Sequence, residues 1–211
     1  MTTLCNTIKL FLKVSNMVRI FITIWVLMLA QLAQAQDLKL VAAARKQIGI
    51  TNSYDPQYSK LAYPNGDVEM SKGVCTDVVI RALREAHNVD LQQLVHEDMA
   101  TNFSLYPKKW GLKKTDSNID HRRVPNLQVY FKRHWKSLAL TQDLTQFQAG
   151  DVVTVMLPGN LPHIMLVSDK KEMDFFNRTP APLVIHNIGR GTKEEASLLS
   201  YQMTGHFRKP E

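Results

Sequence analysis

The chain has 211 residues, with 26 Lys and Arg against 19 Asp and Glu, for a formal net charge of +7. That length suits one ordinary domain with enough interior for a core. The modest positive balance fits a protein working near anionic polymers. Nucleic acid is disfavoured because no dense Lys/Arg run is interleaved with aromatics.

In chain order, the first stretch reads as an export signal. Lys9, Lys13 and Arg19 precede an apolar run over 20–30, and Ala33-Gln34-Ala35 is a small-x-small cleavage site. The run is shorter than the roughly 20 residues of a membrane span. Residues 1–35 are therefore expected to be removed, with Met17 a second candidate start. Residues 36–211 remain as one domain in the periplasm, with no stable membrane span. Their formal charge is lower by three.

Leu38, Val41, Ala42, Ala44 and Ile48 predict a first helix stopped by Gly49. Residues 50–73 are rich in turn formers, and Asn65-Gly66 signals a tight turn or hairpin. Val78, Val79, Ala82, Leu83 and Ala86 then fall on one helical face, so Cys75 opens a helix that ends near Asn88. Asp90 caps a further helix with Leu91, Leu94, Val95 and Met99 inward. Residues 104–120 read as a polar loop anchored by Tyr106 and Trp110, long enough to cover a cleft. Pro125 to His134 reads as helix.

The last third changes to strands. Val152–Met156 follows the Gly150-Asp151 turn; 163–168, 182–188 and 200–207 come next, and 174–177 reads as an inserted loop. Helices followed by strands on short turns predict an α+β fold with an antiparallel sheet.

Cys5 leaves with the signal, so Cys75 would be a lone thiol in an oxidising compartment, without an internal disulfide partner. At a helix start, unpaired amides and the helix dipole favour the thiolate, which predicts a lowered pKa. His163 opens a strand after a turn, and His186 lies on the next. Antiparallel pairing of the two strands would let His186 hold the second nitrogen of His163, with Asn187 directed to the other face. A thiolate, an imidazole and an orienting group make the outline of a cysteine hydrolase. Each histidine alone also fits an ordinary strand position. Arg122 and Arg123 fit a carboxylate clamp or a solvated turn behind a capping Asp120. Tyr54 and Asp55 fit a cleft lining or an Asp-Pro turn. The thiol and histidines lack the close pairs of zinc motifs, so no metal and no cofactor is expected.

Tyr54-Asp55-Pro56, Tyr63 to Asp67, Gly73 to Ala82, Asp90-Leu91-Gln92, Asp120 to Leu127, Gly150-Asp151, His186 to Gly189 and Gly205-His206 together resemble a bacterial domain-of-unknown-function family, number 1287. More distantly, the outline resembles the NlpC-like, papain-fold cell-wall peptidases. That resemblance implies a papain-like fold of helices on an antiparallel sheet, with Cys75 as nucleophile, His163 as base and His186 as orienting residue. It also implies cleavage of amides in peptidoglycan peptides. The chain departs from the wider group in its Gly-Val-Cys-Thr setting, in Met165 where glycine is usual, and in a longer His163–His186 interval. The expectation is an exported cysteine amidase or peptidase acting on a cell-envelope amide, with Tyr54, Asp55, Arg122 and Arg123 touching substrate. The alternatives are an inactive ligand-binding protein on the same fold and a cysteine-dependent acyltransferase.

Overall fold

The structure, a computed structural model, describes residues 38–173 and 178–210. The signal and the 174–177 loop expected from the sequence lie outside the described residues. Asp37–Glu211 forms one compact unit.

Helix α1 covers 38–45 and unwinds through turns to Gly49, whose φ of 81° is left-handed. The short strands β1 (Ser53–Tyr54) and β2 (Lys72–Gly73) pair in parallel. Asn65 turns the chain at φ 63°, but no hairpin forms around it. The connection is instead tied to the next helices. The Asn65 amide donates to Asp90 at 2.7 Å, and the Gly66 amide donates to Gln92 at 2.8 Å.

Helix α2 (Cys75–His87) is buried over its first nine residues. The sequence reading gave it one apolar face, yet every residue from Cys75 to Leu83 is buried, including Thr76, Asp77 and Arg81. Its polar side is covered by ion pairs in place of water. Arg81 meets both carboxylate oxygens of Asp67 (2.8 and 2.9 Å) and the Lys72 carbonyl (3.1 Å). Gly73 serves this side too. Its φ is not left-handed; a Cβ there would stand 3.0 Å from the Asp77 carboxylate and 3.2 Å from Arg81. Glycine makes room for those two side chains. Asn88, at φ 55°, closes the helix in the left-handed form that asparagine tolerates. Asp90 caps α3 (Leu91–Thr101) by accepting from the Gln92 amide, as expected. Helix α4 (Val124–His134) carries proline in its first turn and basic residues in its last.

Among the described residues, β3 (Lys136–Ser137), β4 (Val152–Leu157), β5 (Leu161–Met173), β6 (Pro180–Asn187), β7 (Thr192–Glu195) and β8 (Gln202–Arg208) form one sheet. Its order is β3-β8-β4-β5-β6-β7, antiparallel throughout. The architecture is therefore α+β. Period-two alternation splits two cores. Val152, Ile164, Leu166, Ile185 and Phe207 pack with the helices. Val153, Val155, Met165, Val167 and Val184 pack on the opposite face under Phe147 and Leu198. Met165 is fully buried in that second core. No helix among the described residues is long and apolar enough to cross a membrane.

Candidate functional site

The β5–β6 ladder begins at Leu166↔Ile185, so toward the start of β5 the two strands have separated. Amides alternate in direction along a strand. The Val167 amide bonds the Asp151 carbonyl beside β4, so the Ile164 amide points the other way, into the fork. The Cys75 sulfur sits there, facing the Ile164 amide as a strand carbonyl would. The amides of Thr76 and Cys75 itself also point at it. Cys75 is the first residue of α2. It is held there because Asp77 reaches back to accept from the Val74 amide at 2.7 Å, and because Asn187 donates to the Gly73 and Ser53 carbonyls at 3.0 and 3.2 Å. Alternation does send Asn187 to the opposite side from His186, and this anchoring is what it does there.

His163 and His186 meet at the same fork. His163 Nε2 lies 2.8 Å from His186 Nδ1, as the sequence reading anticipated. His186 Nε2 lies 2.9 Å from Glu195 Oε1. The sulfur touches the peptide that follows His163, but no hydrogen bond joins Cys75 to the His163 ring among the described residues.

The electrostatics differ from the expected lowered thiol. Burial pushes the Cys75 pKa up to about 11, and the backbone donors offset only part of it. The dipole argument fails here because α2 starts beneath other layers, where desolvation of the anion outweighs a few oriented amides. Burial and the neighbouring His186 hold the His163 pKa down to about 3. Burial also lowers that of His186, against the pull of Glu195. The resting pair is thus a neutral thiol and a neutral imidazole.

A cavity of about 250 Å3 opens onto Cys75 between Tyr54, Trp110, Arg123 and Pro162. Burial, followed by the adjoining Cys75, raises the Tyr54 phenol to about 12, so Tyr54 presents a neutral hydroxyl. Arg123 lays its guanidinium over Trp110, 4.1 Å from the ring centroid. Arg122 also reaches the cavity wall, but its charge is taken. It donates to both oxygens of Asp77 at 3.0 and 2.9 Å and to the carbonyls of Gln57 and Asp55 at 3.3 Å. Its role in the structure is to hold the 55–57 segment on the start of α2. Asp55 is not part of the cavity wall. It accepts from the Gln57 amide and pairs with Lys72 at 3.0 Å, which is the Asp-Pro turn reading. Asp120 does not cap α4. It is buried and accepts from the Asp116 amide, while Arg123 occupies the cap position.

Sequence reasoning passed over Asp77 and Glu195, and gave Trp110 only as an anchor of the 104–120 loop. Asp77 carried a legible signal, an acid three residues after the cap position. Glu195 carried none, because β7 is a charged edge strand without apolar alternation. No group of three potential metal-binding side chains is gathered among the described residues.

A free cysteine on a buried helix start, set in a sheet fork beside a His–His–Glu chain, defines an α+β protein with a cysteine-centred cleft. The chain belongs to the family described as Domain of unknown function (DUF1287), whose model matches residues 41–209. It is also similar to the uncharacterized protein YijF of Escherichia coli (strain K12), 53% identical over 178 residues that span 84% of each chain.

Proposed function

We propose that this chain is an exported cysteine amidase or peptidase of papain-like, NlpC-type fold, acting on a cell-envelope amide such as one in a peptidoglycan stem peptide. The observation that carries the reading is the convergence of Cys75, His163 and His186 at one fork, with a cavity opening on the sulfur. His163 takes the thiol proton as the sulfur adds to the substrate carbonyl. The adduct expels the amine, which leaves with that proton, and water then hydrolyses the thioester. The first-turn amides are placed to stabilise the oxyanion. Contact between sulfur and imidazole tightens around substrate, since such bonds are often long in the free enzyme. Arg123 is held less tightly than Arg122, by one 3.5 Å contact with Asp120, and keeps a guanidinium on the cavity for a substrate carboxylate.

The test is turnover of purified stem peptides, read by mass spectrometry for a new amino terminus. The Cys75→Ala protein is expected to keep its melting temperature and lose activity by at least about 10⁴-fold. Equal activity would sink the nucleophile assignment. Transfer to an added amine, in place of release of a free acid, would mark the acyltransferase.

The raised thiol pKa favours a second reading, a ligand-binding protein on the same fold. It predicts saturable stem-peptide binding that Cys75→Ala leaves intact, with no turnover by either protein.

Export is part of the proposal and rests on the N-terminal pattern. Protein recovered from cells is expected to begin at Gln36; a chain retaining residues 1–35 would overturn it.

A further inference from the structure

We propose that Glu195 is a positioning residue that fixes the tautomer of His163, leaving its Nδ1 bare as the base that receives the Cys75 proton. The catalytic meaning rests on the cysteine hydrolase reading; the tautomer follows from the hydrogen-bond geometry of two neutral rings.

A carboxylate only accepts hydrogen bonds. With Glu195 Oε1 2.9 Å away, His186 Nε2 must carry its proton. A neutral imidazole has one N–H, so His186 Nδ1 is an acceptor. It lies 2.8 Å from His163 Nε2, which must therefore donate. That spends the one N–H of His163 and leaves Nδ1 unprotonated. The burial that keeps both rings neutral fits the same assignment.

Two alternatives surround the chain. Glu194, the adjacent acid, is engaged elsewhere: Ser168 donates to it at 2.5 Å, Arg45 at 2.6 Å and Lys170 at 3.0 Å. Ser197 Oγ lies 3.4 Å from His186 Nε2, a longer contact than that of Glu195. A hydroxyl, unlike a carboxylate, can donate. Were Ser197 to donate to His186 Nε2, the whole chain would invert: His186 Nδ1–H would donate to His163 Nε2, and His163 Nδ1 would carry the proton. That tautomer cannot accept from a thiol. Glu195 decides between a competent and an incompetent base two hydrogen bonds away. Because the Glu195 side chain is 42% exposed, its replacement leaves the buried layers intact.

The test is imidazole nitrogen NMR on the folded, 15N-histidine-labelled chain near pH 7.5, with turnover measured alongside. The wild type and Ser197→Ala are expected to show Nε2–H on both His163 and His186. Glu195→Ala is expected to move both rings toward Nδ1–H, and Glu195→Ala/Ser197→Ala to leave a mixture. Unchanged tautomers in Glu195→Ala, or Nδ1–H on His163 in the wild type, would overturn the proposal. Turnover is expected to fall about tenfold or more in kcat for Glu195→Ala, with KM held. If the tautomer inverts while turnover remains, the role of His163 Nδ1 as base is overturned. If the wild type has no turnover, the hydrolase reading fails, and the nitrogen spectra still decide the role of Glu195.

Discussion

Alkylation of Cys75 in the folded protein is expected to climb with pH through neutrality and show no plateau below about pH 10. Burial sets the thiol near 11, so the thiolate fraction at pH 7 is about one in ten thousand, against a few per cent for a free cysteine. The greater intrinsic nucleophilicity of a more basic thiolate returns about a tenfold gain. The net expectation is a rate at least about 30-fold below that of a free cysteine at pH 7. His163→Ala is expected to leave this profile unchanged, because no hydrogen bond joins the two side chains at rest, while abolishing turnover. A plateau near pH 6 to 8 that disappears in His163→Ala would instead reveal a preformed thiolate–imidazolium pair, as the helix-start argument anticipated. The shift also has a sign for stability. An acid whose folded pKa is raised contributes fully below its unfolded value and loses that contribution as pH rises. Cys75 therefore weakens the fold as pH increases from about 9 toward 11.

Asp77→Ala is expected to destabilise the protein by about 3–5 kcal/mol, lowering the melting temperature by about 10 °C. The Asp77–Arg122 side chains are only 4% and 2% exposed, so removing the acid strands a buried guanidinium. It also takes the acceptor from the Val74 amide at the start of α2. Arg122→Ala is expected to cost a similar amount, leaving an unpaired buried carboxylate and freeing the carbonyls of Asp55 and Gln57. The double variant should be far less destabilised than the sum, because the two losses share one interaction. Calorimetry on the four proteins checks this. If Arg122→Ala melts like the wild type and only raises KM, the residue is a substrate clamp and its structural role falls.

Both effects arise where local pattern and tertiary setting part. The elements were legible because their signals are local. The Asp90 carboxylate accepts from an amide two residues on, Asn88 takes the left-handed turn at its own backbone, and the alternation of 163–168 follows from the pleat. The α+β class and the meeting of His163 with His186 follow from those periods plus the antiparallel pairing of successive strands. The strand β7 was missed for an equally local reason: Thr192-Lys193-Glu194-Glu195 has the polarity that protects a sheet edge and so carries no apolar signal. Likewise, no local feature places β8 between β3 and β4.

The sequence by itself determined the four helices and the strands β4, β5, β6 and β8, that one cysteine opens a helix, and that two histidines lie on successive strands. Only the tertiary structure decided what those groups are chemically. Arg122 and Arg123 are adjacent and alike, yet one is consumed by Asp77 and the other faces the cavity; Glu194 and Glu195 divide the same way between Arg45 and His186. The reason is physical. Backbone conformation depends on near neighbours, whereas a charge's partner and a thiol's pKa depend on which distant chain segments exclude water from it.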